Sequence, residues 1–567
     1  MAHLAVAGGA AEGPRVADWM AGVFSDQAHG SDLRFPHFNG MTGNYYFPEM
    51  TGQGGGVFDF DNDGDLDVYL IQGALLGSQE TMEDALFPPS SSFPPTDRLF
   101  RNDSFRDAGA AMQLRFLDIT EQSGIRAAGY GMGAAVGDID DDGWLDIYVT
   151  NVGPNQLFRN RGDGTFEDVT AASGTGDALW GTSATFFDYD ADGRPDLYVA
   201  NYVDFDIEAN PRCFAASSRR DYCGPDAFRA QPDRLFRNVG NGRFEDVTTR
   251  ALAGYEAGPG LGVVSADVNG DGLVDLYVAN DGRVNQLWIN RGNGTFIDEA
   301  LFAGVGLNRS GRPEASMGVD AADFDGDGDE DLFLTHLMGE TNTLYVNDGD
   351  GLFEDRTVEF GLAAMSLPYT SFGTSWLDFD NDGLLDLLAA NGAVRILEEQ
   401  AAAGDPYPLK QPNQLFRNTG GRFEDVTSSA GESFSIPEVS RGVSLGDIDN
   451  DGDQDVVLHT NNGPVRLLVN HIGASRHWAG LGARPMSGGA WITGLRVEVT
   501  NSTGRTFRRR SRTDGGYCSV KDPRAIVGLG EDPGPLRVAI EHTAGTKASY
   551  RNLPVDHYVV VYDSRSR

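Results

Sequence analysis

Cysteine, lysine and long apolar runs are the scarce elements of this 567-residue chain. Three cysteines do not make a disulfide scaffold; Cys213 and Cys223 lie close together in one loop-like insert and are placed to pair, which leaves Cys518 over. No run of about 18 apolar residues occurs, which excludes a helical membrane span. The opening MAHLAVAGGAAEG has neither a basic n-region nor a sustained apolar stretch, so no secretory signal is read there. Lysine supplies only 3 of the 44 basic residues, a bias of nucleotide composition rather than of chemistry. Positive charge as a whole is outweighed: 84 Asp and Glu leave a formal charge of −40. A phosphate backbone repels such a chain, and general nucleic-acid binding is excluded.

The acid is unevenly spread. Residues 477–567 carry 14 Lys and Arg against 8 Asp and Glu, a net of +6, so the rest of the chain stands at −46. An acidic body and a mildly basic tail imply at least two domains. Hydrophobic content of 40% with 10% aromatics is enough to fill a core, which excludes wholesale disorder. Glycine, at 74 residues, is about twice its usual share of roughly 7%, the mark of a chain rich in turns.

One nine-residue pattern, D-x-[DN]-x-D-G-x-x-D, recurs seven times, its starts 50 to 79 residues apart. Its ligand positions are Asp59, Asp61, Asp63 and Asp67; Asp138, Asp140, Asp142 and Asp146; Asp188, Asp190, Asp192 and Asp196; and Asp267, Asn269, Asp271 and Asp275. The last three sets are Asp323, Asp325, Asp327 and Asp331; Asp378, Asp380, Asp382 and Asp386; and Asp447, Asp449, Asp451 and Asp455. Around each loop the grammar repeats: a glycine-rich lead such as YGMGAAVG (130–137), the loop, an alternating run such as LDIYVTN (145–151), then NQLFRN (155–160), a turn, and TFEDVT (165–170). Four short strands, A to D, repeated seven times predict an all-β fold, a seven-bladed β-propeller over residues 23–475. The last repeat lacks its fourth strand, and VFSDQA (23–28) resembles the missing piece, so the N-terminal strand is expected to complete the last blade and leave no long edge. Residues 1–22 are left as a leader. From 476 to 567 the grammar changes to strands of a small β-sandwich-like domain. Its basic cluster RTFRRRSR (505–512) reads first as a solvated edge strand, with docking on the acidic propeller or an anionic ligand as the alternative.

Ca²⁺ takes six to eight oxygen ligands, and alternating carboxylates with a glycine at position 6 wrap a short loop around one. Four ionised carboxylates in so small a space need a cation. Up to seven Ca²⁺ are therefore expected, with weaker binding where Asn269 replaces an aspartate and where Arg194 enters the third loop. The flanking strands and the missing Glu at position 12 exclude a helix-loop-helix sensor.

These loops resemble the FG-GAP/VCBS repeats of integrin-α-type propellers. The segments FPHFNG (35–40), YYFPEMTGQGGGVFDFDNDGDLDVYL (45–70), YCGPDAF (222–228) and DGGYCSVKDPRAIVGLG (514–530) resemble more closely the cartilage-acidic-protein-like group, which carries an ASPIC/UnbV domain after the propeller. The resemblance covers nearly the whole chain and implies an exported, calcium-loaded propeller, extracellular or periplasmic, with a C-terminal β-domain.

Propeller topology puts the calcium loops, between strands A and B, on one face. Insertions at 73–97, 202–232 and 393–412 fall between strands B and C and enlarge the other face, the expected ligand surface. The D–A leads bring Glu49, Tyr130, Trp180 and Arg441 toward the channel mouth there. A protein or carbohydrate ligand suits such a rim. The competing function class is an enzyme acting at the mouth on polysaccharide or a secondary metabolite; no nucleophile elbow, Walker loop or HExxH supports it. Arg161-Gly162-Asp163 reads as an ordinary C–D turn, and His37 with His336 as packing residues.

Overall fold

A computed structural model describes residues 22–563 apart from 90–94, 106–111, 128, 487 and 542–546. Most of the expected leader and the middle of the proline-rich stretch 86–97 lie outside the described residues. Each repeat forms one antiparallel sheet of four strands; in the second blade these are Gly131–Gly137, Asp146–Asn151, Gly153–Asn160 and Phe166–Asp168. The result is a β-propeller, and the aspartate loops join the first and second strands of its blades.

Strand periodicity explains how the blades pack. Side chains alternate across a strand, and both faces of a blade are covered by neighbours. Ile147 and Val149 join Tyr69 and Ile71 in the core between the first two blades, whereas Tyr148 joins Phe186 and Phe236 in the next. This is why the second strands are apolar at nearly every position. The seventh sheet takes Phe24–Asp26 as its outer strand, with Phe24 opposite Asn470 and Asp26 opposite Leu468. One core unites Val57, Val68 and Phe100 of the first blade with Val457, Leu467 and Val469 of the seventh, so these two are side by side.

The glycine-rich leads are the inner strands. A Cβ on Gly373 would stand 2.3 Å from the Arg441 carbonyl oxygen, and one on Gly442 would stand 2.6 Å from Gly54 Cα. Only glycine lets adjacent inner strands meet backbone to backbone around the axis. The TFEDVT segment is equally legible: the Thr170 hydroxyl donates to Asp168 Oδ1 (2.6 Å) and accepts from the Leu157 amide (2.8 Å), pinning the fourth strand to the third.

The C-terminal domain is a sandwich of two sheets. In one, His477–Pro485 lies between Ala525–Gly530 and Tyr558–Asp563; the other runs Thr506–Arg510, Arg496–Thr500, Leu536–Glu541 and Lys547–Leu553. Val497, Val499, Val527 and Val538 fill the space between. The connecting segment leaves this sandwich and enters the propeller axis. Ser519 and Val520 pair in parallel with Gly55 and Gly56 as a fifth strand of the first blade, and Gly516 bridges Val319 in the fifth.

The arginine-rich strand is not the solvated edge first read from the sequence. The Arg510 and Arg512 side chains are 5% and 8% exposed and reach Glu330 of the fifth blade at 3.2 and 3.0 Å. The excess acid of the loop face attracts this strand, so the docking alternative holds.

Candidate functional site

The loops converge as carboxylate clusters. At Asp59–Asp61–Asp67, Asp138–Asp140–Asp146, Asp188–Asp190–Asp196, Asp323–Asp325–Asp331 and Asp378–Asp380–Asp386, one oxygen from each residue lies within 4.8 Å of the others. These are loop positions 1, 3 and 9. Position 5 is not part of these triads; Asp63 and Asp142 instead accept the amides of position 7, Asp65 and Trp144, at 2.9 and 3.0 Å.

Position 9 has a second duty. Asp146 Oδ2 accepts the Ile139 amide (2.9 Å) and its Oδ1 the Asn160 amide (2.8 Å), which clamps the loop onto the third strand. Asn160 Nδ2 then donates to the Phe60 carbonyl in the preceding blade at 2.9 Å. The same bond links Asn238 to Ile139, Asn290 to Tyr189, Asn347 to Val268, Asn470 to Phe379 and Asn102 to Ile448. These asparagines escaped the functional reading of the sequence, although the signal, the final Asn of NQLFRN and its relatives, was in plain view. The arginine before it matters as well: Arg237 bonds Asp190 and Asp192 at 2.6 and 3.0 Å, and Arg417 bonds Asp380 and Asp382 at 2.9 and 2.7 Å.

Burial pushes the carboxyls of Asp196 and Asp378 up to about 8 and that of Asp331 to about 9, and neighbouring loop carboxylates push the same way. Asp59 Oδ1, Asp61 Oδ1, Asp140 Oδ1, Asp190 Oδ1 and Asp323 Oδ2 are buried and have no hydrogen-bond donor. Buried hard oxygens left without donors, at matching positions of several loops, fit a hard divalent cation. Two loops depart: Asn269 puts an amide where the others have a carboxylate, its Nδ2 donating to Asp271 Oδ2 at 3.3 Å, and Arg194 bonds the Asp192 carboxylate.

The opposite face differs from expectation. Glu49, Tyr130, Trp180 and Arg441 do come together, but they are buried rather than open to a ligand. Arg441 donates to the carbonyls of Met50 (2.6 Å), Ser440 (2.8 Å) and Gly392 (3.0 Å) while its guanidinium covers the Phe372 ring at 4.1 Å. Phe47 stacks on Phe228 with ring centroids 5.0 Å apart, and Tyr222 donates to Glu49 Oε2 at 3.0 Å. The insertions fold inward because their aromatics bury more apolar area over the mouth than in water. From the other side Tyr517 and Cys518 fill the axis; the Cys518 thiol, pushed up to about 12 by burial, is unreactive.

A cleft of about 260 Å³ opens where the insertions meet, lined by Tyr45, Leu86, Arg219, Tyr222, Ile396, Asp405 and Tyr407. Cys213 and Cys223, in the middle insertion, form a disulfide. His37 and His336 sit in different blades, the first accepting the Asn462 amide and the second bonded to Ser316; burial holds both near 3, hence neutral. Among the described residues no helix is long and apolar enough to cross a membrane.

Blades stapled through acidic loops and a docked β-sandwich define an FG-GAP-type repeat protein: the FG-GAP-like repeat family matches residues 138–199, 221–278, 267–334 and 323–389. The ASPIC and UnbV family matches 490–567, so the chain carries FG-GAP repeats followed by an ASPIC/UnbV domain. It is similar to cartilage acidic protein 1 of Homo sapiens, 26% identical over 318 residues that cover 54% of this chain and 45% of that protein. The Mus musculus protein is 26% identical over 318 residues, covering 54% and 46%. The match thus spans about half the length of these relatives. Among solved structures, an Agrocybe aegerita lectin recognising non-reducing terminal N-acetylglucosamine aligns with a TM-score of 0.37 and 18% identity, covering 67% of this chain and 90% of its own. YCF48 bound to D1 peptide aligns with a TM-score of 0.38 and 9% identity, covering 74% and 93%.

Proposed function

We propose that this is an exported recognition protein, its propeller held by up to seven calcium ions and its partner, a protein or carbohydrate, docking at the cleft of the insertion face. The observation that carries the calcium reading is the set of buried, donor-free carboxylate oxygens repeated at positions 1 and 3. Positions 1, 3 and 9 would hold the ion with help from the position 7 carbonyl; bound there, Ca²⁺ would cancel two of the loop's negative charges and tie two strands of one blade. Arg237 and Arg417 balance the charge left over.

Recognition is placed at the cleft because three separate insertions build it, and its aromatic walls with Arg219 and Asp405 at the rim suit a partner surface. The Cys213–Cys223 disulfide supports an oxidising compartment, extracellular or periplasmic, and the relatives are named for cartilage. The enzymatic alternative loses its location, since the mouth is packed with side chains.

Elemental analysis of the purified chain is expected to find several calcium ions. Screening glycans and extracellular proteins against wild type and a Leu86→Asp/Arg219→Ala variant tests the cleft; a partner bound equally by both contradicts it.

A further inference from the structure

The first aspartate of a loop treats its two oxygens differently. Oδ2 accepts the amide of the position 6 glycine: Gly64 for Asp59 (3.2 Å), Gly272 for Asp267 (2.9 Å) and Gly452 for Asp447 (2.8 Å). In these three loops the C-terminal domain adds a second donor to the same oxygen. Arg484 Nη2 reaches Asp59 Oδ2 at 2.8 Å, Tyr558 donates its hydroxyl to Asp447 Oδ2 at 2.6 Å, and Arg496 bonds Asp267 Oδ2. Oδ1 of Asp59 and of Asp267, both nearly inaccessible residues, is left without a donor. The second and third loops are the contrast. Asp138 and Asp188 Oδ2 take Gly143 and Gly193 at 2.8 and 2.9 Å, and among the described residues no hydrogen bond or ion pair from a C-terminal-domain side chain is seen at either carboxylate.

We infer that Arg484, Arg496 and Tyr558 are positioning residues for divalent cations in loops one, four and seven, so that cation binding there and seating of the C-terminal domain strengthen each other. This rests on the calcium reading of the loops. Three donors from different strands of one domain land on the same oxygen of the same loop position, which fixes the carboxylate; Oδ1 stays free of donors at Asp59 and Asp267 and accepts only the Asp451 amide (2.9 Å) at Asp447. Partners that orient a ligating carboxylate are worth about 10- to 100-fold in metal affinity. A guanidinium also repels the ion, but the five aspartates of the first loop leave three negative charges after one divalent cation binds, and Arg484 answers one of them. Loops two and three bind without this help, so the chain has tail-dependent and tail-independent cation sites.

Linkage requires reciprocity: if the domain raises cation affinity, the cation holds the domain down. The test is calorimetric titration of Ca²⁺ into the chelator-stripped full chain, for wild type, Tyr558→Phe, Arg484→Gln and Arg484→Lys, with proteolysis of the C-terminal domain followed in parallel. Tyr558→Phe and Arg484→Gln are each expected to weaken one class of sites about tenfold or more and leave the others unchanged. Arg484→Lys should recover part of the loss, and calcium should slow cleavage of the domain in wild type. Calcium binding in wild type with both variants unchanged or tightened overturns this inference alone. A wild-type chain that binds no calcium overturns the calcium reading with it.

Discussion

Lys521 Nζ lies 2.7 and 2.8 Å from the two carboxylate oxygens of Asp320, a fully buried residue on an inner strand of the fifth blade. Asp320 Oδ2 also accepts the Ser375 hydroxyl at 3.0 Å and the Trp376 amide at 3.1 Å. The pair joins the C-terminal domain to the propeller at the base of the axial segment. Lys521→Met strips a buried carboxylate of its cation and is expected to cost about 3–5 kcal/mol in chemical denaturation, with less lost in Lys521→Met/Asp320→Asn. Equal losses in the two variants would show that the pair itself contributes little.

Glu49 gives the insertion face a pH dependence. Burial pushes its carboxyl up to about 8, while the Tyr222 hydroxyl on Oε2 pulls the other way and Glu80 adds to the rise; Oε1 has no donor. The folded pKa lies above the unfolded value of about 4.3, so the folded state binds the extra proton. This contribution is fully present below about pH 4.3 and lost as pH rises through about 8. Thermal melting should therefore show Glu49→Gln gaining stability over wild type at pH 8.5 and matching it near pH 5. An identical gain at both values would assign the effect to packing.

Removing divalent cations is expected to lower the melting temperature. A site held at 100 times its dissociation constant contributes about 2.7 kcal/mol, and the buried, donor-free oxygens of several loops would each lose that. Melting with and without EDTA reads it directly, and an unchanged transition after verified calcium removal would contradict a structural role.

Gly373→Ala should prevent tight packing of the sixth and seventh inner strands, because its Cβ would meet a backbone carbonyl at 2.3 Å rather than a movable side chain. The expected outcome is loss of soluble protein or a fall of more than 3 kcal/mol, of the order of a severe core change. Gly421→Ala, in an exposed turn with no positive φ and nothing within 4 Å of the added methyl, is the control for a generic glycine effect. Comparable losses in both would remove the close-approach explanation.

Repeat number, strand order and the carboxylate loops were legible in the sequence because each is local. A period of two with turn residues at fixed offsets defines a blade, and nine consecutive residues contain a whole loop. The Cys213–Cys223 pair was legible for the same reason. The inter-blade asparagines were visible as a repeated letter, but their bond runs to a carbonyl one blade back, some 80 to 100 residues earlier in chains such as Asn160 to Phe60 and Asn347 to Val268. Only the tertiary structure decided the rest. RTFRRRSR has the pattern of a solvated strand, and nothing within eight residues says that Glu330 will lie 3.2 Å from Arg510. The repeat pattern put Glu49, Tyr130, Trp180 and Arg441 at one end of the axis, yet whether that end was open depended on where the insertions fold. Their aromatics and the Tyr517 segment find more apolar surface to bury in the channel than anywhere else, and that preference belongs to the assembled shape, not to any stretch of chain.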